Sequence, residues 1–302
     1  MNSSNFRANA RENLKGKWKT AILITLVYAL LFFMFGIIET LLPVLGVIFK
    51  IVSIIIEVPL TFGLWTSYMK LYNGEEVNVF DFLNLGFANF SKSWSIIFQI
   101  ALKLILPMVS VIVSLIVMFI GSIGYSDQVS YYNGGAFVVI LIGLFALVGS
   151  AIWAYTKSYY YKLSYFIAID DPSLSTKEIV NIGEKLMNKK RGKLFDLELS
   201  FLGWGLGIAA IEIILNILGS ELISSIAVEI CSFILLIYIN FASIAFYKYI
   251  KNNTSQSTAE VISDNSNSQN FDSIQNDSSS INNIQNLNND PIQNRDQNNN
   301  IN

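Results

Sequence analysis

Five charged side chains interrupt long apolar runs of this 302-residue chain and are the first candidates for chemistry: Lys50, Glu57, Lys103, Glu212 and Glu229. A charge at the centre of a bilayer costs about 2.5–3.5 kcal/mol, so each needs a partner, water or the interface. Counting about 1.5 Å per helical residue places Glu57 and Lys103 near mid-membrane and the other three nearer the outer side. We therefore predict a central Glu57–Lys103 pair. We also predict an outer cluster of Lys50 with Glu212 or Glu229.

The predicted Glu57–Lys103 pair allows two interpretations. In the first, the titratable carboxylate lines a path for an ion or a small solute. In the second, the pair is packed and fixes the register of two helices, which is slightly favoured because such a pair neutralises itself. Pro59 follows Glu57 closely and Pro107 follows Lys103 by one turn. Each proline can kink its helix and free a backbone carbonyl.

The residue types that the chain lacks exclude several kinds of active site. There is no His, which excludes Ser-His-Asp triads, Cys-His dyads and imidazole metal ligands. The single Cys231 stands in an apolar run and is typical of a buried small hydrophobe. An intramembrane hydrolase needs paired carboxylates or a Ser–Lys site, and none converges at one depth. We predict no enzyme activity and no catalytic, metal or cofactor site.

The composition predicts a polytopic membrane protein. Hydrophobic residues make up 53% of the chain and charged residues only 14%, whereas soluble domains carry about 25% charged residues. The formal net charge of -2 argues against a nucleic-acid partner. Six apolar stretches can span a bilayer core of about 30 Å as helices. They are residues 21–38, 45–69, 94–120, 136–155, 195–218 and 222–247. Lys50, Glu57 and Pro59 interrupt the second stretch, which leaves a re-entrant segment as the alternative there.

Lysine and arginine lie on one side of the predicted spans. They precede the first span, fill the connection between the fourth and fifth, and follow the sixth, whereas the three loops on the other side hold none. Because cytoplasmic loops carry the excess of Lys and Arg, we predict a multi-pass protein of the cytoplasmic membrane with both termini in the cytoplasm. A signal peptide is the competing interpretation of residues 1–40, but no small-x-small cleavage site follows the first apolar run.

Three cytoplasmic interfacial helices are predicted from amphipathic patterns. The first, within residues 1–20, has an apolar stripe of Phe6, Ala10, Leu14 and Trp18 beside a basic stripe. The apolar residues of the second are Val79, Phe80, Leu83, Phe87 and Phe90. The third starts with a capping-box pattern at Ser175 and Glu178 and ends in a basic run. Such helices lie in the headgroup layer and attract anionic lipid. The predicted headgroup contacts are Arg7, Arg11, Lys15, Lys189, Lys190 and Arg191.

Each interfacial helix leads into a span through a short string of cations and an aromatic residue, which we call an entry string. The entry strings are Leu14-Lys15-Gly16-Lys17-Trp18, Phe90-Ser91-Lys92-Ser93-Trp94 and Arg191-Gly192-Lys193-Leu194-Phe195. Their similarity predicts three units, each an interfacial helix followed by a transmembrane hairpin. An alternative of equal weight is that any span starting inside needs a cation and an aromatic residue at its mouth.

The rest of the chain divides the protein into three predicted regions. Residues 1–20 form the basic amphipathic helix, residues 21–251 form the six-span domain, and residues 252–302 form a tail rich in Asn and Ser. The tail cannot bury enough apolar area to offset the entropy of ordering, so we predict that it is disordered. Gly203 and Gly207 form a GxxxG pattern, which makes a homodimer or a membrane-protein partner a secondary expectation.

Several short strings of this chain, and the order in which they follow one another, resemble those of a known family. They are Arg7-Ala8-Asn9-Ala10-Arg11, Pro59-Leu60 with Gly63, Asn73-Gly74-Glu75-Glu76, Asp81 with Gly86-Phe87, Asp171-Pro172, Lys193-Leu194-Phe195 and Gly203-Trp204. Over roughly residues 5–250 the chain resembles the domain-of-unknown-function family 975 of bacterial integral membrane proteins. This resemblance implies membrane location and topology. The family has no established activity, so the resemblance supplies no catalytic residue.

The first functional hypothesis is a non-enzymatic integral membrane protein. It binds lipid or a partner protein through its basic, aromatic cytoplasmic face, and its partners are the bilayer and anionic headgroups. The second hypothesis is a small transporter or channel for a solute or an ion that uses the Glu57–Lys103 pair.

Overall fold

The structure is a computed structural model that describes residues 2–126, 133–219 and 221–286. Side chains are described within those ranges except at residues 43–44, 124–126, 133–134 and 255–286. The described residues form eleven α-helices and no strand, which confirms the predicted all-α class. In chain order the helices are α1 (Ser3–Leu14), α2 (Trp18–Leu41), α3 (Pro43–Asn73), α4 (Asp81–Ala88), α5 (Phe90–Ser126), α6 (Asn133–Ser158), α7 (Ser164–Asp170), α8 (Thr176–Met187), α9 (Arg191–Leu199), α10 (Leu202–Ile217) and α11 (Glu221–Asn286).

Six helical segments are long and apolar enough to cross a membrane, which confirms the six predicted spans. They are Trp18–Leu41, Leu45–Asn73, Phe90–Ile123, Gly135–Ser158, Arg191–Ile217 and Glu221–Thr254. The second lies in α3, one continuous helix of 31 residues. At about 1.5 Å per residue this helix exceeds a bilayer core of about 30 Å. Its length favours a full span over the re-entrant alternative.

The helices follow one another in the predicted threefold order. A short helix precedes an apolar pair three times: α1 precedes α2 and α3, α4 precedes α5 and α6, and α8 precedes the segment α9–α10 and α11. The fifth predicted span is interrupted, because α9 ends at Leu199 and α10 begins at Leu202. The additional helix α7 follows a turn after Ser158. The entry strings therefore stand at equivalent places in three consecutive units.

One cation of each entry string holds a backbone carbonyl of another segment. The Lys17 ammonium donates to the Leu71 carbonyl at 2.7 Å, and the Lys92 ammonium donates to the Pro172 carbonyl at 2.7 Å. The Arg191 guanidinium reaches the Thr156 carbonyl at 3.4 Å. These carbonyls lie at or just beyond the ends of other helices, where the last turn lacks partners. The cations of the entry strings therefore join segments of the chain.

The buried core lies where the short helices meet the adjoining ends of the long ones. We call α1, α4, α7, α8 and α9 the short-helix layer. Core side chains come from this layer, from the start of α2, the second half of α3 and the residues 237–250 of α11. The opposite halves of the long helices expose apolar side chains, among them Phe145 at 75% and Ile217 at 79%. Such apolar exposure on every span is the surface that a lipid bilayer covers.

Helix α1 packs its apolar stripe into the protein. Phe6, Ala10 and Leu14 are at most 1% exposed. The Phe6 ring meets those of Phe246 and Tyr249 at centroid distances of 5.4 and 5.3 Å. The stripe therefore packs against α9 and α11, and the expectation that the helix lies in the headgroup layer stays a prediction. The basic stripe is left on the other side of the helix.

Helix α4 has the opposite arrangement. Phe82 and Gly86 are buried against the protein. Phe80 and Phe87, which belong to the predicted apolar face, are 61% and 51% exposed. This face points away from the protein core, as an interfacial helix requires. Of the aromatic side chains at α4, Phe82 thus lies in the core, whereas Phe80 and Phe87 lie outside it.

Two glycines bring α3 and α4 into backbone contact. A Cβ added at Gly63 would stand 2.0 Å from the Phe82 carbonyl oxygen, and one added at Gly86 would stand 2.5 Å from the Pro59 carbonyl oxygen. Real Cβ atoms do not approach backbone oxygens so closely, so only glycine fits both positions. The crossing of α3 and α4 thus depends on the two residues that carry no side chain.

The predicted capping box at the start of α8 is present. The Ser175 hydroxyl accepts from the backbone N–H of Glu178, and the Glu178 carboxylate accepts from the backbone N–H of Ser175. Hydrogen bonds from Ser175 lower the pKa of the Glu178 carboxyl. The cap starts α8 at a defined residue, and Ile179 and Met187 then point into the core.

The chain divides after Ile250 into two units, and the short-helix layer belongs to the first. In the second unit α11 continues to Asn286, into the region predicted as a disordered tail. Asn and Ser have low helix propensity, and the disorder of residues 252–286 in solution stays a prediction. The remainder of that predicted region, residues 287–302, lies outside the described residues.

The glycine contact gives a test of the fold. Gly63→Ala should lower the free energy of unfolding by about 1–3 kcal/mol or more, because α3 and α4 must separate to admit the methyl group. The measurement is the thermal stability of the purified protein in one detergent. Gly149→Ala is the matched control, because a Cβ at Gly149 meets nothing within 4 Å, and it should be neutral or mildly stabilising. Equal melting temperatures for Gly63→Ala and wild type would contradict the close approach.

Candidate functional site

The intramembrane charges do not form the predicted pairs. Lys50 lies 3.6 Å from the Glu39 carboxylate, across the turn between α2 and α3. The prediction that Lys50 clusters with Glu212 or Glu229 is therefore wrong. Its physical reason is proximity, since a hairpin brings its own two ends together whereas the other carboxylates lie on α10 and α11. Both partners are more than two fifths exposed, so the pair contributes little to stability.

Lys103 pairs with a carboxylate of the short-helix layer. Its ammonium lies 3.1 Å from Glu184 of α8. Glu57 is a partner in none of the ion pairs Lys50–Glu39, Lys103–Glu184, Lys162–Glu198 and Lys248–Asp170 found among the described residues. The predicted Glu57–Lys103 pair is therefore wrong. Counting residues from the ends of a span assumes that only other spans surround Lys103, whereas α8 packs alongside this part of α5.

The segment around Glu57 contains a backbone group that needs a partner. Pro59 has no N–H, so the carbonyl of Ile55, four residues earlier, lacks its usual helical donor. The indole N–H of Trp94 donates to this carbonyl at 3.1 Å. Trp94 is the aromatic residue of the second entry string, and it therefore ties the start of α5 to the proline site of α3. Glu57 itself is exposed.

Glu212 and Glu229 do not form a polar site in the first unit. Both side chains are exposed, on α10 and α11. The hydroxyl of Ser224 reaches the backbone carbonyl of Glu212 at 3.3 Å. Among the described residues no group of three or more His, Cys, Asp and Glu side chains could hold a metal ion. The absence of a metal, a cofactor and enzyme activity stays a prediction.

Two of the predicted headgroup cations stand at the end of an apolar groove, which we call the α10–α11 groove. Its volume is about 750 Å³. It is lined by Arg7, Arg11, Trp18, Ser200, Gly203, Trp204, Gly207, Ile208, Ile211, Cys231, Ile234, Leu235 and Tyr238. The two arginines come from α1, and most other wall residues come from α10 and α11. No acidic side chain is among the lining residues, so the cationic end keeps its charge uncompensated.

One of the two arginines, Arg7, is held by hydrogen bonds to other segments. The guanidinium of Arg7 donates through Nη1 to the Ser200 carbonyl at 3.1 Å. The hydroxyl of Tyr238 donates to the Arg7 carbonyl at 3.0 Å. The Nε atom of Arg7 is buried and has no hydrogen-bond partner. A buried donor without a partner is costly, and this Nε is closed off from the groove.

A second groove, which we call the α6–α9 groove, holds two more of the predicted cations. Its volume is about 550 Å³, and it is lined by Ile152, Tyr155, Thr156, Tyr159, Lys189, Arg191, Gly192 and Phe195. Arg191 stacks over the Tyr160 ring at 4.1 Å and also reaches the Thr156 carbonyl. This guanidinium is thus engaged within the protein. The remaining predicted contacts are Lys15, which is exposed, and Lys190, which is partly exposed.

A tyrosine–carboxylate network beside the α6–α9 groove, with Tyr159 as its buried member, was missed by sequence reasoning. The Tyr159 hydroxyl donates to the Glu198 carboxylate, which also accepts from Lys162. The Lys162 ammonium lies over the Tyr159 ring at 3.8 Å. Burial, and then the hydrogen bond to Glu198, raise the pKa of the Tyr159 hydroxyl. Only spacing in three dimensions reveals this network, because α6 and α9 are separated by α7 and α8.

A family model described as "Protein of unknown function (DUF975)" matches residues 1–254 of the chain. The chain belongs to this family. The match confirms the resemblance found from the short strings. No curated protein and no solved structure matches the chain. The DUF975 region contains every residue of both grooves, whereas the end of α11 extends beyond it.

The Trp94 hydrogen bond gives a prediction for this DUF975 protein. Trp94→Phe should lower the free energy of unfolding by about 1–3 kcal/mol, because the Ile55 carbonyl then has no donor. In a Pro59→Ala background the same change should cost less, since residue 59 regains an N–H that can serve Ile55. The measurement is unfolding in mixed micelles, with Trp153→Phe on α6 as the control. An equal loss in the free energy of unfolding on Trp94→Phe in both backgrounds would contradict a hydrogen bond from Trp94 to the Ile55 carbonyl.

Proposed function

We propose that the protein is a non-enzymatic component of the cytoplasmic membrane that binds anionic lipid headgroups through its short-helix layer. The observation that carries the proposal is the placement of Arg7 and Arg11 at one end of an apolar groove. Phospholipids combine the same two chemistries, an anionic phosphate and an apolar chain. The layer adds aromatic side chains, which favour the depth of the headgroups.

The distribution of cations supports an orientation for this proposal. Lysines and arginines gather at the termini and in the short-helix layer, whereas the described turn between α2 and α3 has none. The positive-inside rule then places the layer and both termini in the cytoplasm. The cytoplasmic leaflet is also the one that carries most anionic lipid, so the layer faces the surface it is charged to bind.

The packing of α1 changes how lipid is engaged. Its apolar stripe is buried in the protein, so the helix does not insert among acyl chains by itself. That packing fixes the helix backbone, and Arg7 is also held by its hydrogen bond to the Ser200 carbonyl, which lowers the entropic cost of binding a headgroup there. A cationic surface on a folded layer thus replaces the free amphipathic helix that the sequence indicates.

Transport has no structural observation in its favour among the described residues. That hypothesis depended on a midplane Glu57–Lys103 pair, and Lys103 pairs with Glu184 instead. A partner protein on the basic face also lacks a specific observation in its favour, whereas the grooves match lipid in both charge and apolarity. Lipid binding is therefore the function that the geometry supports best.

Lipid selectivity tests the proposal. In nanodiscs, spin-labelled phosphatidylglycerol should be immobilised by the protein more strongly than spin-labelled phosphatidylcholine, and high salt should reduce the difference. Replacing Arg7, Arg11, Lys15, Lys189, Lys190 and Arg191 together by Gln should abolish the preference. The control is Lys50→Gln with Glu39→Gln, which changes an ion pair outside the short-helix layer. Equal immobilisation of the two lipids by the wild type would refute the function.

Reporter fusions test the orientation separately. A green fluorescent protein fused after Lys251 should fluoresce, and alkaline phosphatase fused there should be inactive, because that end faces the cytoplasm. Alkaline phosphatase inserted between residues 127 and 132 should be active, because the proposal places this loop outside the cytoplasm. Three spans precede the loop and three follow it, so it lies on the side of the membrane opposite to both termini. The reverse activities at the two sites would contradict the orientation.

A further inference from the structure

We propose that the α10–α11 groove holds a single anionic phospholipid, with its phosphate at Arg7 and Arg11 and one acyl chain along α10 and α11. This inference rests on the proposed function and makes it specific. A basic surface can attract a membrane without any cavity and without binding a fixed number of lipid molecules. A groove with a cationic end and an apolar floor defines one site and one pose.

The cationic end can bind a phosphate in a directed way. Arg7 and Arg11 both line this end of the groove, and the Nη1 of Arg7 is fixed by the Ser200 carbonyl. Arg11 is exposed one helical turn further along α1. Among the described residues neither arginine takes part in an ion pair. Phosphate oxygens would accept from the guanidinium N–H groups that face the groove and would neutralise both charges.

The floor of the groove fits an acyl chain. Gly203, Gly207 and Ile211 recur every four residues on α10, so they form a stripe of about 12 Å along one face. A Cβ at Gly203 or Gly207 would meet nothing within 4 Å, which leaves a shallow channel along the backbone. Ile234 and Leu235 of α11 line the groove as well. Inorganic phosphate could use only the arginine end, whereas a phospholipid uses the full length.

The aromatic residues of the groove agree with the depth of a headgroup. Trp18 ends the first entry string, and Trp204 lies between the two glycines of the α10 stripe. Both line the groove near its arginine end. Indole rings prefer the boundary between headgroups and acyl chains. Charge, aromatic belt and apolar floor thus follow one another in the order that a phospholipid presents.

The stripe of small residues could also receive a helix of a second copy. A helix seated there would cover the glycines but would leave two arginines beside an apolar partner with no counter-charge. A phospholipid satisfies both ends of the groove at once. The α6–α9 groove is a weaker site for the same ligand, because its Arg191 is already stacked on Tyr160 and bonded to Thr156.

Native mass spectrometry of the full chain in detergent tests the site. After delipidation, phosphatidylglycerol is titrated in parallel with phosphatidylcholine, and one phosphatidylglycerol should bind more tightly than the rest. Arg7→Gln with Arg11→Gln should weaken this first binding by at least about tenfold. Gly207→Leu should weaken it to a similar extent, because the leucine side chain fills the channel while both arginines remain.

Two matched controls separate the groove from general effects. Gly149→Leu introduces the same side chain at an open glycine of α6, and Lys50→Gln with Glu39→Gln removes two charges outside the short-helix layer. Neither should change the first binding by more than about twofold. Excess inorganic phosphate should not displace the bound lipid, because it lacks the acyl chain.

The outcomes distinguish the site from the wider function. A preference for phosphatidylglycerol that survives Gly207→Leu, or that Gly149→Leu reduces equally, overturns the groove while leaving lipid binding by the basic layer. Displacement by inorganic phosphate also overturns it, in favour of a simple anion site. A dimer lost in Gly207→Leu without loss of lipid assigns the groove to a second copy. No preference for phosphatidylglycerol in the wild type refutes both proposals.

Discussion

Hydrocarbon cannot satisfy a stray charge or carbonyl, and this constraint governs where the chain places its polar groups. Much of each long helix exposes apolar side chains that only lipid can cover. The side chains that pack against one another gather at the other ends of these helices, with the short-helix layer. The protein therefore has a core built in the manner of a soluble domain, attached to long helices whose opposite halves are apolar and exposed.

The junction of α3, α4 and α5 shows how strictly this constraint is met. Pro59 frees the Ile55 carbonyl, and Trp94 from the next unit supplies the donor. Beside it, Gly63 and Gly86 bring two backbones together. An aromatic residue at the mouth of a span is usually explained by interface anchoring. Here it also completes a neighbouring helix, which gives the second entry string a structural role within the protein.

Ion pairing was the least predictable part of the candidate site. Depth along a helix can be counted from the sequence, but the partner of a charge depends on which helix lies beside it. Lys50 met Glu39 across its own hairpin, and Lys103 met Glu184 of α8. Exposed pairs such as these contribute little energy, so no strong force in the sequence dictates one partner over another. Apolar packing and close glycine contacts place the helix backbones, and the positions of the backbones decide which carboxylate pairs with each lysine.

The sequence by itself determined the all-α class and the six spans, because apolar length and helical periodicity are local properties, and its short strings indicated the family. It also located the cations and the capping box of α8. Only the tertiary structure decided that the stripe of α1 packs into protein, that α4 buries Phe82 and leaves Phe87 exposed, and that Arg7 and Arg11 meet the glycine face of α10. The contacts of α1 join segments about 200 residues apart, and no periodicity within one segment encodes them.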